Sequence, residues 1–188
     1  MIKLIAFDLG WCLLTENDIQ LSYEEEILES KFWDINSDND FYSWASKTLS
    51  LSENEIKNII SKFIVNLYSL RDKDIFEKLL VKYPDISFAV ASNHISQVNE
   101  CLNNLWVNDV CDTILISWEC WEEKPTKEFF NVLIERSWYN PKEMLFVDDS
   151  LENIVWATRA WLNTLHYTRW TSLSDCILSY LEYIRLFH

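Results

Sequence analysis

The sequence predicts an α/β fold of three layers, in which a parallel sheet is covered by helices and carries a small inserted helical cap. Short apolar segments alternate with amphipathic segments along most of the 188 residues, an order typical of a parallel sheet buried on both faces. An acidic stretch with helical patterns interrupts this alternation after the first strand. We therefore expect a core formed by residues 1–14 and 73–188 and a cap formed by residues 15–72.

Each predicted strand is a short apolar segment, and four of the five end in polar residues. The predicted strands are "IKLIAF" (2–7), "ISFAVASN" (86–93), "DTILIS" (112–117), "EMLFVDDS" (143–150) and "LNTLHY" (162–167).

The predicted helices carry apolar residues at helical spacing. They are "SYEEEILESKF" (22–32), "SENEIKNIISKFIVNLYSL" (52–70), "DKDIFEKLLVKY" (72–83), "SQVNECLNNL" (96–105), "TKEFFNVLIERS" (126–137), "LENIVWATRA" (151–160) and "SLSDCILSYLEYIRLF" (172–187). Ser52 and Glu55 form the pattern of a capping box at the start of the second helix.

Composition narrows the class of partner. The net charge of -14 argues against nucleic acid or an anionic membrane, because both would repel an acidic protein. Five cysteines, odd in number and without CxxC spacing, favour a reducing compartment over a disulfide framework. With no apparent signal peptide and no segment long enough to span a bilayer, we expect a cytoplasmic protein. The oligomeric state is left open.

Polar residues follow the predicted strands at their carboxyl ends. They are Asp8, Ser92 with Asn93, Ser117, and Asp148 with Asp149. The carboxyl ends of parallel strands lie along one edge of a sheet, where ligands bind. We therefore expect these side chains to converge on one site.

Four segments carry a family resemblance. "FDLGWCLL", "VASNH", "EEKPTKEFF" and "MLFVDDSLENIVWATRA" resemble, in order and spacing, the motifs of the haloacid dehalogenase-like (HAD) superfamily. They are most similar to its small-metabolite phosphatase branch, which has a Rossmann-like core and a helical cap. The resemblance implies hydrolysis of a small phosphorylated metabolite, such as a sugar phosphate or nucleotide, through an aspartyl-phosphate.

The resemblance also assigns residue roles. It implies Asp8 as nucleophile and Lys124 as the cation that neutralises the transferring phosphoryl group. It implies phosphate contacts from Ser92, Asn93 and Lys124, and Mg²⁺ ligands from Asp8, the Gly10 carbonyl, Asp149 and Asp148. Mg²⁺ prefers such oxygen ligands.

Simpler interpretations stay open for several of these residues. Asp148 and Asp149 also suit the capping of the helix at Leu151, and Ser92 and Asn93 the capping of a helix near Ser96. His94 is expected to be a surface loop residue rather than a catalytic one. Asn153 is expected either to orient Asp149 or Lys124 or to be a surface residue.

One position departs from the family pattern. Most phosphatases of the superfamily have a second aspartate two residues after the nucleophile as general acid and base, and here that residue is Gly10. Proton transfer by a positioned side chain contributes typically about 10²–10⁴-fold. A dehalogenase, which also lacks this acid, and a non-catalytic phosphate-binding domain are therefore the alternative functions.

The glycine and tryptophan counts are unusual. The chain has one glycine and ten tryptophans, where average usage predicts about 13 glycines. Six tryptophans stand where the resemblance or a helix end favours glycine: Trp11, Trp118, Trp121, Trp138, Trp156 and Trp161. These observations suggest the hypothesis that UGA codons for glycine were translated as tryptophan, and that the turn after Asp8 is Gly-Gly.

Overall fold

A computed structural model of the chain describes residues 1–32 and 37–187. Within them, seven strands form two sheets. The strands are β1 (Leu4–Phe7), β2 (Leu14–Glu16), β3 (Tyr68–Leu70), β4 (Ser87–Ser92), β5 (Cys111–Ile116), β6 (Met144–Asp148) and β7 (Asn163–His166). The main sheet has the order β5-β4-β1-β6-β7, and all of its strands are parallel.

Ten α-helices of the described residues accompany these strands. They are α1 (Tyr23–Glu29), α2 (Asp38–Leu49), α3 (Glu53–Leu67), α4 (Ile75–Lys82), α5 (Val98–Asn104), α6 (Val107–Val110), α7 (Ser117–Cys120), α8 (Lys127–Ser137), α9 (Leu151–Arg159) and α10 (Leu173–Phe187).

The side chains of β1 show how the three layers arise. Leu4 and Ala6 belong to one apolar cluster, with residues of α8 and α9. Ile5 and Phe7 belong to the other, with residues of α4, α5 and α10. Successive side chains of a strand point to opposite faces of the sheet, so β1 is buried on both sides. The predicted three-layer α/β fold is confirmed.

The segment between β2 and β3 holds α1, α2 and α3. Ser52 and Glu55 form the predicted capping box at the start of α3. The prediction that this helix continues to Leu70 is wrong, because the chain becomes extended at Tyr68 and pairs with β2. In this antiparallel ribbon Glu16 lies opposite Tyr68 and Leu14 opposite Leu70. Phe41 of α2 and Phe32, which follows α1, also belong to the cluster that contains Ile5.

Positive φ angles coincide with tryptophan. Seven described residues other than glycine have positive φ, and five of these are Trp11, Trp106, Trp121, Trp138 and Trp161, with φ between 56° and 69°. All five side chains are exposed. A side chain with a Cβ is disfavoured in this left-handed region, whereas glycine enters it readily.

The tryptophans predicted at positions that favour glycine occupy several settings. Trp138 forms the C-cap of α8, as predicted, whereas Trp118 is buried with its ring centroid 5.6 Å from that of Phe41. Trp156 is half-buried beneath the guanidinium of Arg159. Trp33 lies outside the described residues. A search of the described helices for a membrane-spanning segment found none of sufficient length and hydropathy.

Candidate active site

Two of the predicted acids lie side by side at the point where the strand order of the main sheet reverses. β1 has β4 on one side and β6 on the other, and Phe7 is paired with Val147. The next residues along the two strands are therefore Asp8 and Asp148. The Asp8 amide donates to the Val147 carbonyl at 2.9 Å. The reversal of strand order beside β1 opens a crevice at the carboxyl edge of the sheet.

Lys124 joins the two carboxylates from the loop that precedes α8. Its Nζ lies 2.5 Å from Asp8 Oδ1 and 2.8 Å from Asp148 Oδ2. All three side chains are buried, with relative exposures of 4% for Lys124, 7% for Asp8 and 0% for Asp148. Burial alone would lower the pKa of Lys124, but Asp148 and Asp8 raise it above its usual value. The ammonium therefore stays charged.

Ser92 and Asn93, at the end of β4, take different positions. The Ser92 hydroxyl donates to Asp8 Oδ1 at 2.9 Å. Asn93 holds the main chain of Lys124: its Nδ2 donates to the Lys124 carbonyl, and its Oδ1 accepts from the Lys124 amide, both at 2.8 Å. Asn93 thus fixes the loop that presents the ammonium, and the phosphate contacts of both residues stay predictions.

Asp149 completes a set of three carboxylates. Ligand oxygens of Asp8, Asp148 and Asp149 lie within 4.8 Å of one another. Hard oxygen ligands at this spacing fit Mg²⁺. Asp149 is half-buried, so the three carboxylates are open to solvent on the side of Asp149. This suits Mg²⁺, because the ion usually keeps several waters.

The balance of charge at this site is negative. Burial raises the pKa of Asp8 to about 7; the charge of Lys124 opposes this rise, and that of Asp148 adds to it. Burial and Asp148 likewise raise the pKa of Asp149. One ammonium faces three carboxylates, so a further cation would stabilise their ionised forms.

Asp148 has two more partners beyond Lys124. Its Oδ1 accepts from the Ser150 amide at 2.7 Å, and its Oδ2 accepts from Asn153 Nδ2 at 3.0 Å. Asn153 therefore orients Asp148, and the expectation that it would orient Asp149 or Lys124 is wrong. The N-cap of α9 is Ser150, whose hydroxyl accepts from the Asn153 amide.

His94 is buried, contrary to the prediction of a surface loop residue. Only 1% of it is exposed. Its ring centroid lies 5.6 Å from that of Phe32 and 5.8 Å from that of Tyr68. Ser117, also predicted at this edge, accepts from the His94 amide at 3.3 Å.

Arg71 is a residue that the sequence analysis missed. Its Nε donates to the Cys12 carbonyl at 3.1 Å, and its amide donates to the Leu13 carbonyl at 2.9 Å. It therefore ties the end of β3 to the loop after Asp8. The helical pattern of residues 52–70 hid this contact, because only a strand at 68–70 brings Arg71 beside that loop.

Comparisons with known proteins found a matching family and a curated relative. Residues 73–166 match the model of a family described as haloacid dehalogenase-like hydrolase. A curated relative, D-ribitol-5-phosphate phosphatase of Bacteroides thetaiotaomicron, is 42% identical over 48 residues. That alignment covers 26% of this chain and 23% of the relative, so it spans about a quarter of either protein.

Solved structures share the fold over nearly the whole chain. A HAD family enzyme from Bacteroides thetaiotaomicron has a TM-score of 0.69 at 18% identity, covering 94% of this chain and 98% of its own. Its wild-type complex with magnesium and inorganic phosphate has a TM-score of 0.66 at 18% identity, covering 91% and 96%. A HAD-like family hydrolase from Porphyromonas gingivalis has a TM-score of 0.67 at 20% identity, covering 96% of this chain and 98% of its own.

Proposed function

Because the chain belongs to the haloacid dehalogenase-like hydrolases, we propose that it is a Mg²⁺-dependent phosphatase of a small phosphorylated metabolite. The observation that carries this proposal is the buried arrangement of Asp8, Lys124 and Asp148, with Asp149 beside it. A dehalogenase needs no such set of acids around its nucleophile. The names of the matched relative, a phosphatase, and of the structure with magnesium and phosphate support the same activity.

The proposed metal would be held by Asp8, Asp148, Asp149 and the main-chain carbonyl of Gly10. When bound, Mg²⁺ would offset the negative charge of the phosphoryl oxygens and of the three carboxylates.

The side chains of this protein have distinct roles in the proposed reaction. An oxygen of Asp8 attacks phosphorus, the bond to the substrate oxygen breaks, and the alcohol leaves with a proton from water. Water then attacks the aspartyl-phosphate, which releases inorganic phosphate and restores the carboxylate. Lys124 supplies a fixed positive charge that needs no reorganisation during the reaction. Ser92 holds Oδ1 of Asp8, which leaves Oδ2 as the attacking atom.

We further propose that residues 15–72 act as a cap that excludes water and selects the substrate. The protein would act on a free metabolite rather than a nucleic acid or a membrane, given its net charge of -14. Its five cysteines without CxxC spacing support a cytoplasmic location.

Hydrolysis of an aryl phosphate tests the activity. We expect release that requires Mg²⁺ and is lost in Asp8→Asn, whereas Glu152→Gln, an exposed acid on α9, serves as the matched control. Halide release from a haloacid without metal would instead establish a dehalogenase. Failure of both reactions would favour a phosphate-binding domain, an alternative supported by the indole of Trp11, which lines the cavity beside the loop after Asp8.

We also propose that the natural protein has glycine where this sequence has tryptophan, through translation of UGA codons with the wrong table. The support is that five of seven positive-φ residues other than glycine are tryptophans, each with its indole exposed. Mass spectrometry of the protein from its native host tests this proposal. We expect peptides with glycine at positions 11, 121 and 138, and tryptophan at position 11 would overturn it.

A further inference from the structure

The loop that follows Asp8 is fastened at its far end by Arg71, through hydrogen bonds to its main chain. Building on the proposed phosphatase function, we propose that Arg71 is a positioning residue for Mg²⁺ binding. It fixes this loop so that the Gly10 carbonyl faces the three carboxylates. Loss of the guanidinium should therefore weaken Mg²⁺ binding and slow turnover in a protein that still folds.

The loop itself has an irregular backbone that depends on support from outside. It spans Leu9–Leu13, and the Leu13 amide closes it by donating to the Asp8 carbonyl at 3.1 Å. Gly10 has φ -62° and ψ 129°, and Trp11 has φ 56° and ψ 1°, so both depart from helical geometry. The Gly10 carbonyl belongs to the peptide plane between these two residues, so rotation of their dihedrals turns it. Glycine at position 11 would make this rotation easier still.

Arg71 meets three successive carbonyls at the end of this loop. Its Nε donates to the Cys12 carbonyl at 3.1 Å, its amide donates to the Leu13 carbonyl at 2.9 Å, and its Nη2 makes a longer contact of 3.5 Å with the Leu14 carbonyl. The residue is half-buried, and hydrogen bonds from a charged donor are stronger than those between neutral groups. The end of the loop is thereby fixed to the β2–β3 ribbon, in which Leu14 lies opposite Leu70.

The same guanidinium also contacts a residue that is fixed to the strand of the second acid. Its Cζ lies 5.9 Å from the centroid of the Tyr167 ring, within the range of a cation–π contact. Tyr167 is buried, and its amide donates to the Asp148 carbonyl at 2.9 Å. Arg71 therefore lies between the loop that carries Gly10 and the end of β6, and it sets the position of one relative to the other.

The charge of Arg71 makes the proposal testable by the sign of the effect. Removal of a positive charge near a cation site would by itself strengthen Mg²⁺ binding. Loss of positioning acts in the opposite direction, because Mg²⁺ demands near-ideal octahedral geometry. Replacement of residues that orient metal ligands without touching the metal typically costs about 10–100-fold in affinity or activity. Weaker binding would therefore identify positioning rather than charge as the role of Arg71.

Calorimetry of Mg²⁺ binding and kinetics with p-nitrophenyl phosphate test the proposal. We expect Arg71→Met to raise the Kd of Mg²⁺ about tenfold and to lower kcat about tenfold or more, with a smaller change in KM. Arg71→Lys, which keeps the charge but loses the planar fork of donors, should show a smaller loss of the same sign. Arg185→Met, at an exposed arginine of α10, should leave the Kd and kcat unchanged.

Urea unfolding of each variant separates positioning from a purely structural role. The assays use both the written chain and the form with glycine at the tryptophan positions. A lower free energy of unfolding with an unchanged Kd of Mg²⁺ in either form would overturn the proposal, and so would tighter Mg²⁺ binding. Should Arg71→Met fail to fold, Arg71→Lys carries the same test.

Failure of the proposed function has a different signature. If the unsubstituted protein binds Mg²⁺ but hydrolyses no aryl phosphate in either form, the phosphatase function is overturned, and the Kd of Mg²⁺ for the variants still decides the role of Arg71. If the unsubstituted protein binds no Mg²⁺, the metal site is overturned and this inference with it.

Discussion

Replacement of Trp138 by glycine should stabilise the protein. Trp138 has a φ of 62° at the C-cap of α8, and 93% of the residue is exposed, so little packing is lost with the indole. Release of the left-handed strain contributes about 1–2 kcal/mol, and the greater flexibility of unfolded glycine costs roughly 0.5–1 kcal/mol. The expected net gain in the free energy of unfolding is therefore about 0.5–1 kcal/mol.

Urea titration and thermal unfolding measure this change. For a chain of this length the gain corresponds to a melting temperature about 1–4 °C higher. Ser50→Gly, at a φ of 56° after α2, should stabilise similarly, because the strain belongs to the backbone position. Trp44→Gly, inside α2, should destabilise by about 1 kcal/mol or more. A lower stability for Trp138→Gly would refute the assignment of strain.

Three further predictions concern the acidic site. Asp8 has a pKa raised from 3.8 to about 7, so between these values it binds more protons in the folded than in the unfolded protein. The free energy of unfolding of the metal-free protein should therefore fall by up to roughly 4 kcal/mol from pH 4 to 7. This fall should be absent in Asp8→Asn. Lys124→Met should lower the free energy of unfolding by about 3–5 kcal/mol, because it leaves buried carboxylates unpaired. Lys127→Met, which replaces an exposed lysine, should not lower it. Mg²⁺ at a hundred times its Kd should stabilise the protein by about 2.7 kcal/mol, an effect lost in Asp149→Asn but kept in Glu152→Gln.

Chemical unfolding at several pH values, with and without Mg²⁺, checks all three. A stability that rises between pH 4 and 7 specifically through Asp8 would contradict the first. Equal losses for the two lysine variants would contradict the second. Mg²⁺ stabilisation that persists in Asp149→Asn would contradict the third.

The sequence predicted well those features that depend on local pattern. Apolar runs followed by acids located Asp8 and Asp148 at strand ends, and the parallel order of the strands then places them together. Helices of strong periodicity, such as α8 and α9, begin within one residue of the prediction.

Features that depend on distant contacts were not predictable. Asn93 binds the main chain of Lys124, which lies 31 residues away in the sequence and follows a different strand. Tyr68–Leu70 continues the apolar pattern of α3, and only its pairing with β2 makes it a strand. His94 looks like a loop residue next to polar neighbours, and its burial depends on the rings of Phe32 and Tyr68, which are distant in the sequence.

The pairing of Glu16 with Tyr68 has a consequence for how such a protein can diverge. The chain departs from the nucleophile loop and returns to it at adjacent positions, so the intervening segment can lengthen, shorten or be exchanged without shifting the register of any strand in the main sheet. The entropic cost of closing a longer loop grows only slowly with length. New substrate-contacting surfaces can therefore arise by insertion, while the carboxylates and the lysine keep their positions.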